Sequence, residues 1–420
     1  MELSSLIGDK NQVAEETGVK KKNLHFSPTQ VGCITNRIEP ISIASDVRGA
    51  INFDSGTDNA DVMPVERHGV ILGFLRRESI NELKNTKPTL MNRGLNSKNM
   101  LTSLLPVQEV IEASTYISTV VERGLRTTHW DDPAWYVVEH KHKYLGVVNL
   151  RQMMEYLDGV RFRDILRAGE IQGNLLNQPP VHDPRFTLLT YNKMANEVGG
   201  DWYKTLRLNK DMYLVGCFDV AGKNISGSLV TMSLGSCFAA LELVRYSETE
   251  PQKITTLLNS LVRTVNPPDV FVAAAILYVN FSTMSIVIHN CGLSPVVAFI
   301  PTGEKSIGYK IYQPNMPPLG LAEEIIPEPF QKLPISNGLR IVVYSDGLGD
   351  IKDIYGEQYG EERTLDFLQN LHFLSGEGYS TFIDREINLW TKDTALADDV
   401  TLFEIRFGHE WPSSEQSLLR

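Results

Sequence analysis

The chain has 420 residues, more than a single core usually fills, so two or three domains are expected. Its 42% hydrophobic content supports folding rather than disorder, and its formal charge of −11 with a pI near 5.4 argues against extended binding along a phosphate backbone. Nucleic acid is therefore not an expected partner.

The four cysteines, Cys33, Cys217, Cys237 and Cys291, are scattered without CxxC spacing, and three stand in apolar or small-residue surroundings. They read as reduced core thiols. The start of the chain has no apolar stretch of signal-peptide length, and no segment approaches 18 uninterrupted apolar residues. The expectation is a cytoplasmic protein with no membrane partner.

In chain order, Met1–Leu24 is polar and includes Lys20-Lys21-Lys22, which reads as a solvated tail (1–25). From residue 26 to 157 the chain states one pattern twice. Short apolar strands at Val62–Glu66 and Trp135–Glu139 each lead into a polar hairpin, then a second strand through Gly73 or Gly146, then a helical pattern. The Asn- and Lys-rich stretch Lys84–Leu101 reads as the loop between the copies. The doubled pattern resembles a tandem pair of CBS domains, a regulatory module that often binds adenine nucleotides. Neither copy is complete. Where the family carries Ser or Thr followed by Asp, this chain has Arg76-Arg77-Glu78-Ser79 and Asn149-Leu150-Arg151-Gln152. The resemblance leaves Glu78 as a candidate ribose contact, and leaves open a structural or dimerising role beside ligand sensing.

Asp158–Leu176 carries apolar residues near the i, i+3, i+4 rhythm of an amphipathic helix and stops before Asn177-Gln178-Pro179-Pro180, which makes 158–180 a linker. Beyond it the pattern is strand-rich. Phe186–Tyr191, Trp202–Leu208 and Met212–Phe218 read as strands, followed by helices near Ser226–Arg245 and Gln252–Val265. The runs Val270–Val279, Ser282–His289 and Pro295–Ile300 then read as strands again. Strands followed by grouped helices point to an α+β or layered sandwich.

Four segments of this region deliver aspartates at strand ends. Asp201 follows Gly199-Gly200, Asp219 follows the apolar run Met212–Phe218, Asp346-Gly347 follows Gly338–Ser345, and Asp398-Asp399 opens a final strand. Any one such pair standing alone is commonly a turn. Together they form a carboxylate cluster with no histidine or cysteine company, the donor set that hard, oxygen-seeking cations prefer.

The series GGDWY, FDVAGK, NCGLSP, PPLG, YSDG, YGEER and ADDVT, in this order over about Phe162–Phe407, resembles the SpoIIE-like branch of the metal-dependent PPM serine/threonine phosphatases, relatives of RsbU-type enzymes. The resemblance implies a layered α/β/β/α phosphatase sandwich at 181–408, preceded by the CBS-like α/β module and followed by a tail at 409–420. It implies two manganese or magnesium ions that activate a water and clamp the phosphoryl oxygens, without a covalent intermediate. Asp219 would bridge the ions, the Val220 carbonyl would bind one, and Asp346 with Asp398 would complete the second ion's shell. Asp201 would sit beside the other. The Val-Thr that follows favours Asp398 over Asp399, though both remain candidate ligands, and Asp350 reads as a loop or capping residue. Lys223 reads as solvent-facing, with a phosphate contact as the alternative.

The chain departs from the family at Asn224, at Gly227-Ser228, and at Leu293, where an NAGH-like loop has His. No departure removes a metal carboxylate. The expected substrate is a phosphorylated regulator of the anti-anti-sigma type, and the expected assembly is a homodimer. Two other classes stay open: a catalytically silent phosphatase-fold binding module, and an adenine-nucleotide sensor whose output is dimerisation.

Overall fold

The computed structural model describes residues 24–43, 61–76, 78, 103–127, 134–222, 225–246, 248–267, 269–302, 307–374, 376–392 and 394–408. Residues 1–23 of the expected tail 1–25, the expected tail 409–420, the whole inter-repeat loop 84–101, Lys223 and Asn224 lie outside them. The chain divides into two compact units, Met1–Phe162 and Arg163–Arg420.

In the first unit each copy of the repeat folds into a three-stranded sheet. One sheet orders β1 (Ile41–Ser42), β2 (Val62–Arg67) and β3 (Val70–Arg76); the other orders β4 (Val107–Glu112), β5 (Trp135–His140) and β6 (Lys143–Asn149). In both, the first strand runs parallel to the second and the second pairs antiparallel with the third. The two hairpins turn on residues with positive φ, His68-Gly69 and Lys141-His142, as two-residue hairpin loops demand. The glycines of the repeat also have matching tasks. A Cβ on Gly73 would stand 2.6 Å from the Leu105 carbonyl oxygen, and one on Gly146 would stand 2.2 Å from that of Asn36. Each absence of a side chain admits a bridging segment: Leu105 pairs with Phe74, and Asn36 pairs with Val147. The sheets share a core of Ile38, Val62, Phe74, Trp135, Val137 and Val147. Helix α1 (Ile117–Thr127) buries Ile117, Val120 and Val121 in a second cluster with Val138, Val148 and Met153.

The linker helix departs from its expected start. The helix α2 runs Leu150–Leu176, so the helical pattern closing the second repeat and the linker are one element. The polar Asp158-Gly159 step does not interrupt it, since a single helical glycine costs only about 1 kcal/mol. Burial of Leu150 and Met153 anchors the earlier turns.

The second unit is a sandwich of two five-stranded antiparallel sheets. One orders β14 (Gln331–Pro334), β11 (Ser285–Cys291), β10 (Val272–Asn280), β9 (Met212–Val220) and β8 (Trp202–Arg207). The other orders β13 (Ile307–Tyr312), β12 (Val296–Pro301), β15 (Arg340–Tyr344), β16 (Val400–Phe407) and β7 (Phe186–Lys193). Alternation along each strand divides its residues between two layers. Val215, Cys217, Leu277 and Ile288 of the first sheet meet Val296, Ile341, Phe403 and Ile405 of the second in the central core. The outer face of the first sheet, including Leu214, Phe218 and Ile276, is covered by α3 (Ile225–Leu243) and α4 (Pro251–Val265). The outer face of the second, including Val342 and Leu402, is covered by α6 (Gly360–Asn370) and α7 (Glu377–Thr391). This is the expected order of layers, helix, sheet, sheet, helix.

The helix α3 is apolar enough, by length and composition, to cross a membrane. Here Val230, Leu234 and Phe238 pack on the sheet while Ile225, Leu229 and Leu243 are exposed. Of the cysteines, Cys217 and Cys291 are buried, Cys237 is half-buried and Cys33 is exposed, and all four are free thiols.

Candidate active site

The sheets bring their aspartates to one edge of the sandwich. In the first sheet, Trp202 pairs with Phe218, which sets Asp201, at the entry to β8, beside Asp219, near the end of β9. In the second, Tyr344 pairs with Leu402, and the Ser345 amide donates to the Thr401 carbonyl at 2.9 Å, so the exit of β15 meets the entry of β16. Asp346 and Asp398 leave from those two ends. The turn after Asp346 is a short helix, α5 (Gly347–Asp350), and a Cβ on Gly347 would stand 1.9 Å from the Asp399 carbonyl oxygen. Only glycine lets the two chain ends approach so closely.

Electrostatics identify Asp219 as the centre of the group. Burial pushes its carboxyl up to about 7, and Asp346 and Asp398 push in the same direction. Asp201 is raised by burial and then by Asp219, while the nearby hydroxyls of Ser345 and Thr401 act the other way. Asp346 is raised by burial, then by Asp350 and Asp398. The Asp201 Oδ2 is buried without a hydrogen-bond partner. A cleft of about 20 Å³, room for a water or an ion, is lined by Asp201, Asp219, Val220, Gly222, Asp398 and Asp399 among others. Among the described residues, no group of three or more His, Cys, Asp or Glu side chains is already gathered as a ligand shell. Like charges in a desolvated corner repel, and nothing among the described side chains there neutralises them. An all-oxygen donor set with a buried, unpaired carboxylate oxygen fits a hard divalent cation.

The two members of Asp398-Asp399 have different work. Asp399 is buried, and its carboxylate accepts the backbone N–H groups of Ala195 at 2.8 Å, Gly200 at 2.7 Å and Asp201 at 3.3 Å. Asp399 thus ties the last strand to the loop that presents Asp201, and Asp398 remains the carboxylate beside Asp219 and Asp346. Asp350 lies outside the group of four: its Oδ1 accepts from Gln358 at 2.9 Å. Glu78 is exposed after the first hairpin of the other unit.

A residue that sequence reasoning did not single out holds the same loop from the other side. Gln172 of α2 is 1% exposed. Its Nε2 donates to the Gly199 carbonyl and to the Thr231 hydroxyl, both at 2.7 Å, and its Oε1 accepts the Gly199 amide at 3.2 Å. A glutamine on an amphipathic helix carries no signal of its own. Ser345 and Thr401 were equally silent, although they sit inside YSDG and ADDVT.

The chain is similar to known proteins over this unit. Residues 209–408 match the family model described as Stage II sporulation protein E (SpoIIE). The phosphoserine phosphatase RsbP of Bacillus subtilis (strain 168) is 26% identical over 191 residues, 45% of this chain and 45% of that protein. The chain therefore spans less than half the length of that relative. Among solved structures, the SiaA-PP2C domain of Pseudomonas aeruginosa is 19% identical with a TM-score of 0.48, covering 60% of this chain and 98% of that one. The phosphatase domain of SpoIIE from Bacillus subtilis, solved with a fragment of its regulatory domain, is 15% identical with a TM-score of 0.42, covering 54% and 63%.

The family match and the ordered aspartate motifs define the class of the second unit: a PPM-type serine/threonine phosphatase domain. Over residues 209–408 it is similar to the SpoIIE-like branch of that class.

Proposed function

We propose that this chain is a metal-dependent phosphatase that hydrolyses phosphoserine or phosphothreonine on a regulatory protein. The observation that carries this reading is the meeting of Asp201, Asp219, Asp346 and Asp398 at one sandwich edge, with Asp219 at the centre and the Asp201 Oδ2 buried and unpaired. Asp219 would be shared between two ions, with Val220 and Asp201 on one side and Asp346 and Asp398 on the other. When bound, two such ions supply positive charge for the phosphoryl oxygens and lower the pKa of the attacking water. The oxygen-only donor set suits magnesium and manganese alike. Asp399 and Gln172 touch no reacting atom in this scheme; they are positioning residues for the Gly199–Asp201 loop.

The similarity to RsbP, a phosphoserine phosphatase, supports the ester class. The substrate would be a phosphorylated regulator of the anti-anti-sigma type, met in the cytoplasm by a homodimer. For the first unit, the matching topology and glycine contacts of its two halves support a CBS-like regulatory module, with an adenine nucleotide as ligand and Glu78 as its ribose contact. A second reading, a silent phosphatase-fold binding module, draws on the lack of a ready-gathered ligand shell among the described residues.

The two readings separate in one assay. The full chain is given 4-nitrophenyl phosphate and a phosphoserine peptide, with manganese, with magnesium and with chelator. Turnover that requires metal and disappears in Asp346→Asn supports the phosphatase. Silence with both metals on both substrates favours the binding module.

Gln172→Ala tests the positioning role. It leaves the buried amide of Gly199 without its side-chain acceptor and its carbonyl with only the Thr231 hydroxyl at 3.4 Å, a cost of about 1–3 kcal/mol. The expected result is at least a tenfold fall in kcat with little change in KM, accompanied by modest loss of thermal stability. A variant with wild-type kcat would remove Gln172 from the account.

A further inference from the structure

A second cleft lies along the same strand as Asp201, farther from the metal edge. It encloses about 490 Å³, within the range of small-molecule sites. Its walls come from the end of α2 and the following turn (Leu175, Pro179, Pro180), from β8, and from the later turns of α3 (Gly235, Ala239). These walls are fixed. The Gln178 side chain donates to the Tyr203 carbonyl and accepts the Thr205 amide, both at 3.0 Å, and so stands in for a strand along the edge of β8. The Trp202 indole donates to the Leu176 carbonyl at 3.3 Å.

The polar groups of the cleft are arranged for a guest. Lys204, with a side chain only 11% exposed, pairs with Glu242 at 2.8 Å across the cavity wall. Arg207 is held in place by the Asn209 carbonyl at 3.1 Å and by the face of Tyr213, with its guanidinium carbon 5.6 Å from the ring centroid. Two cations against one carboxylate leave the cleft net positive in a chain whose formal charge is −11.

We infer that this cleft is a binding site for a small amphiphilic anion: an acidic group set against Arg207, and an apolar body against Pro179, Pro180 and Ala239. Such a guest touches the helix turn beyond Gln172 and the strand that carries Asp201. An effect on turnover would rest on the phosphatase reading; binding does not.

The probe is 8-anilinonaphthalene-1-sulfonate, titrated by fluorescence into the full chain, with neutral N-phenyl-1-naphthylamine as comparison. The expected result is saturable binding at one site, weakened at least tenfold in Arg207→Glu and in Ala239→Trp. The neutral amine is expected to bind at least fivefold more weakly than the sulfonate. Variants within twofold of the parent chain, or equal affinity for the neutral probe, would overturn the inference. If Ala239→Trp does not fold, Arg207→Glu decides, because that side chain is exposed.

Discussion

Asp219→Asn is expected to lower kcat by roughly a thousandfold or more while leaving the fold intact. The estimate follows from its central place: removing the shared carboxylate withdraws several kcal/mol of charge stabilisation, and each 1.36 kcal/mol is tenfold in rate. The same substitution is expected to stabilise the chelated protein. Burial and the flanking Asp346 and Asp398 raise Asp219 to about 7, so its ionisation opposes folding. A group whose folded pKa lies above its unfolded value binds more protons when folded. Its contribution is therefore greatest below pH 4 and is lost as pH rises through about 7. In chelator at pH 8, Asp219→Asn should melt at a higher temperature than the parent chain; with manganese or magnesium present the order should reverse. A variant that keeps activity, or that unfolds in chelator, would contradict the assignment.

Glu404→Leu is expected to cost about 3–5 kcal/mol, the usual result of breaking a buried ion network from one side. Glu404 is fully buried on β16, where its Oε1 accepts from Arg340 at 2.5 Å and from Arg406 at 2.6 Å. The two guanidinium groups, 1% and 2% exposed, also donate to the carbonyls of Leu368, Leu371 and Leu374, which fastens the outer helices to the second sheet. Burial pushes Glu404 up, but Arg340 and then Arg406 outweigh it and hold the carboxyl below its usual range. A depressed folded pKa gives stability that is present above pH 4.5 and lost as pH falls through the folded value. Chemical denaturation at pH 7 measures the loss. The triple replacement Arg340→Leu, Glu404→Leu and Arg406→Met should recover most of it, because no charge is then stranded. A single variant as stable as the parent chain would show the network to be idle.

Much of the sandwich was legible in the sequence because its strands are buried on both faces. Runs such as Met212–Val220 and Val272–Asn280 are apolar for nearly their whole length and stop at Gly, Asn or Asp. The hairpins Val62–Arg76 and Trp135–Asn149 were legible as a repeat. The helix from Leu150 to Leu176 was read as two pieces, the close of the second repeat and a linker from Asp158, because local periodicity does not show that burial of Leu150 and Met153 on the first unit continues the same helix. The four candidate aspartates stood out in the sequence through their places at strand ends. The division of labour between Asp398 and Asp399 was not settled there, since two adjacent carboxylates differ only in which backbone amides surround them. Gln172, Gln178 and the Arg340–Glu404–Arg406 network depend on partners 25 to 64 residues away, and no local periodicity encodes those meetings.

The first and last strands of the phosphatase domain, Phe186–Lys193 and Val400–Phe407, lie side by side through eight residue pairs. Asp398 and the loop-tying Asp399 enter immediately before that final strand. During synthesis the ribosome therefore releases the closing piece of both the sheet and the metal edge at the very end of the domain. A nascent chain stalled before residue 398 exposes the flank of β7 and lacks two of its aspartates. The candidate site is therefore the last part of the domain to be completed.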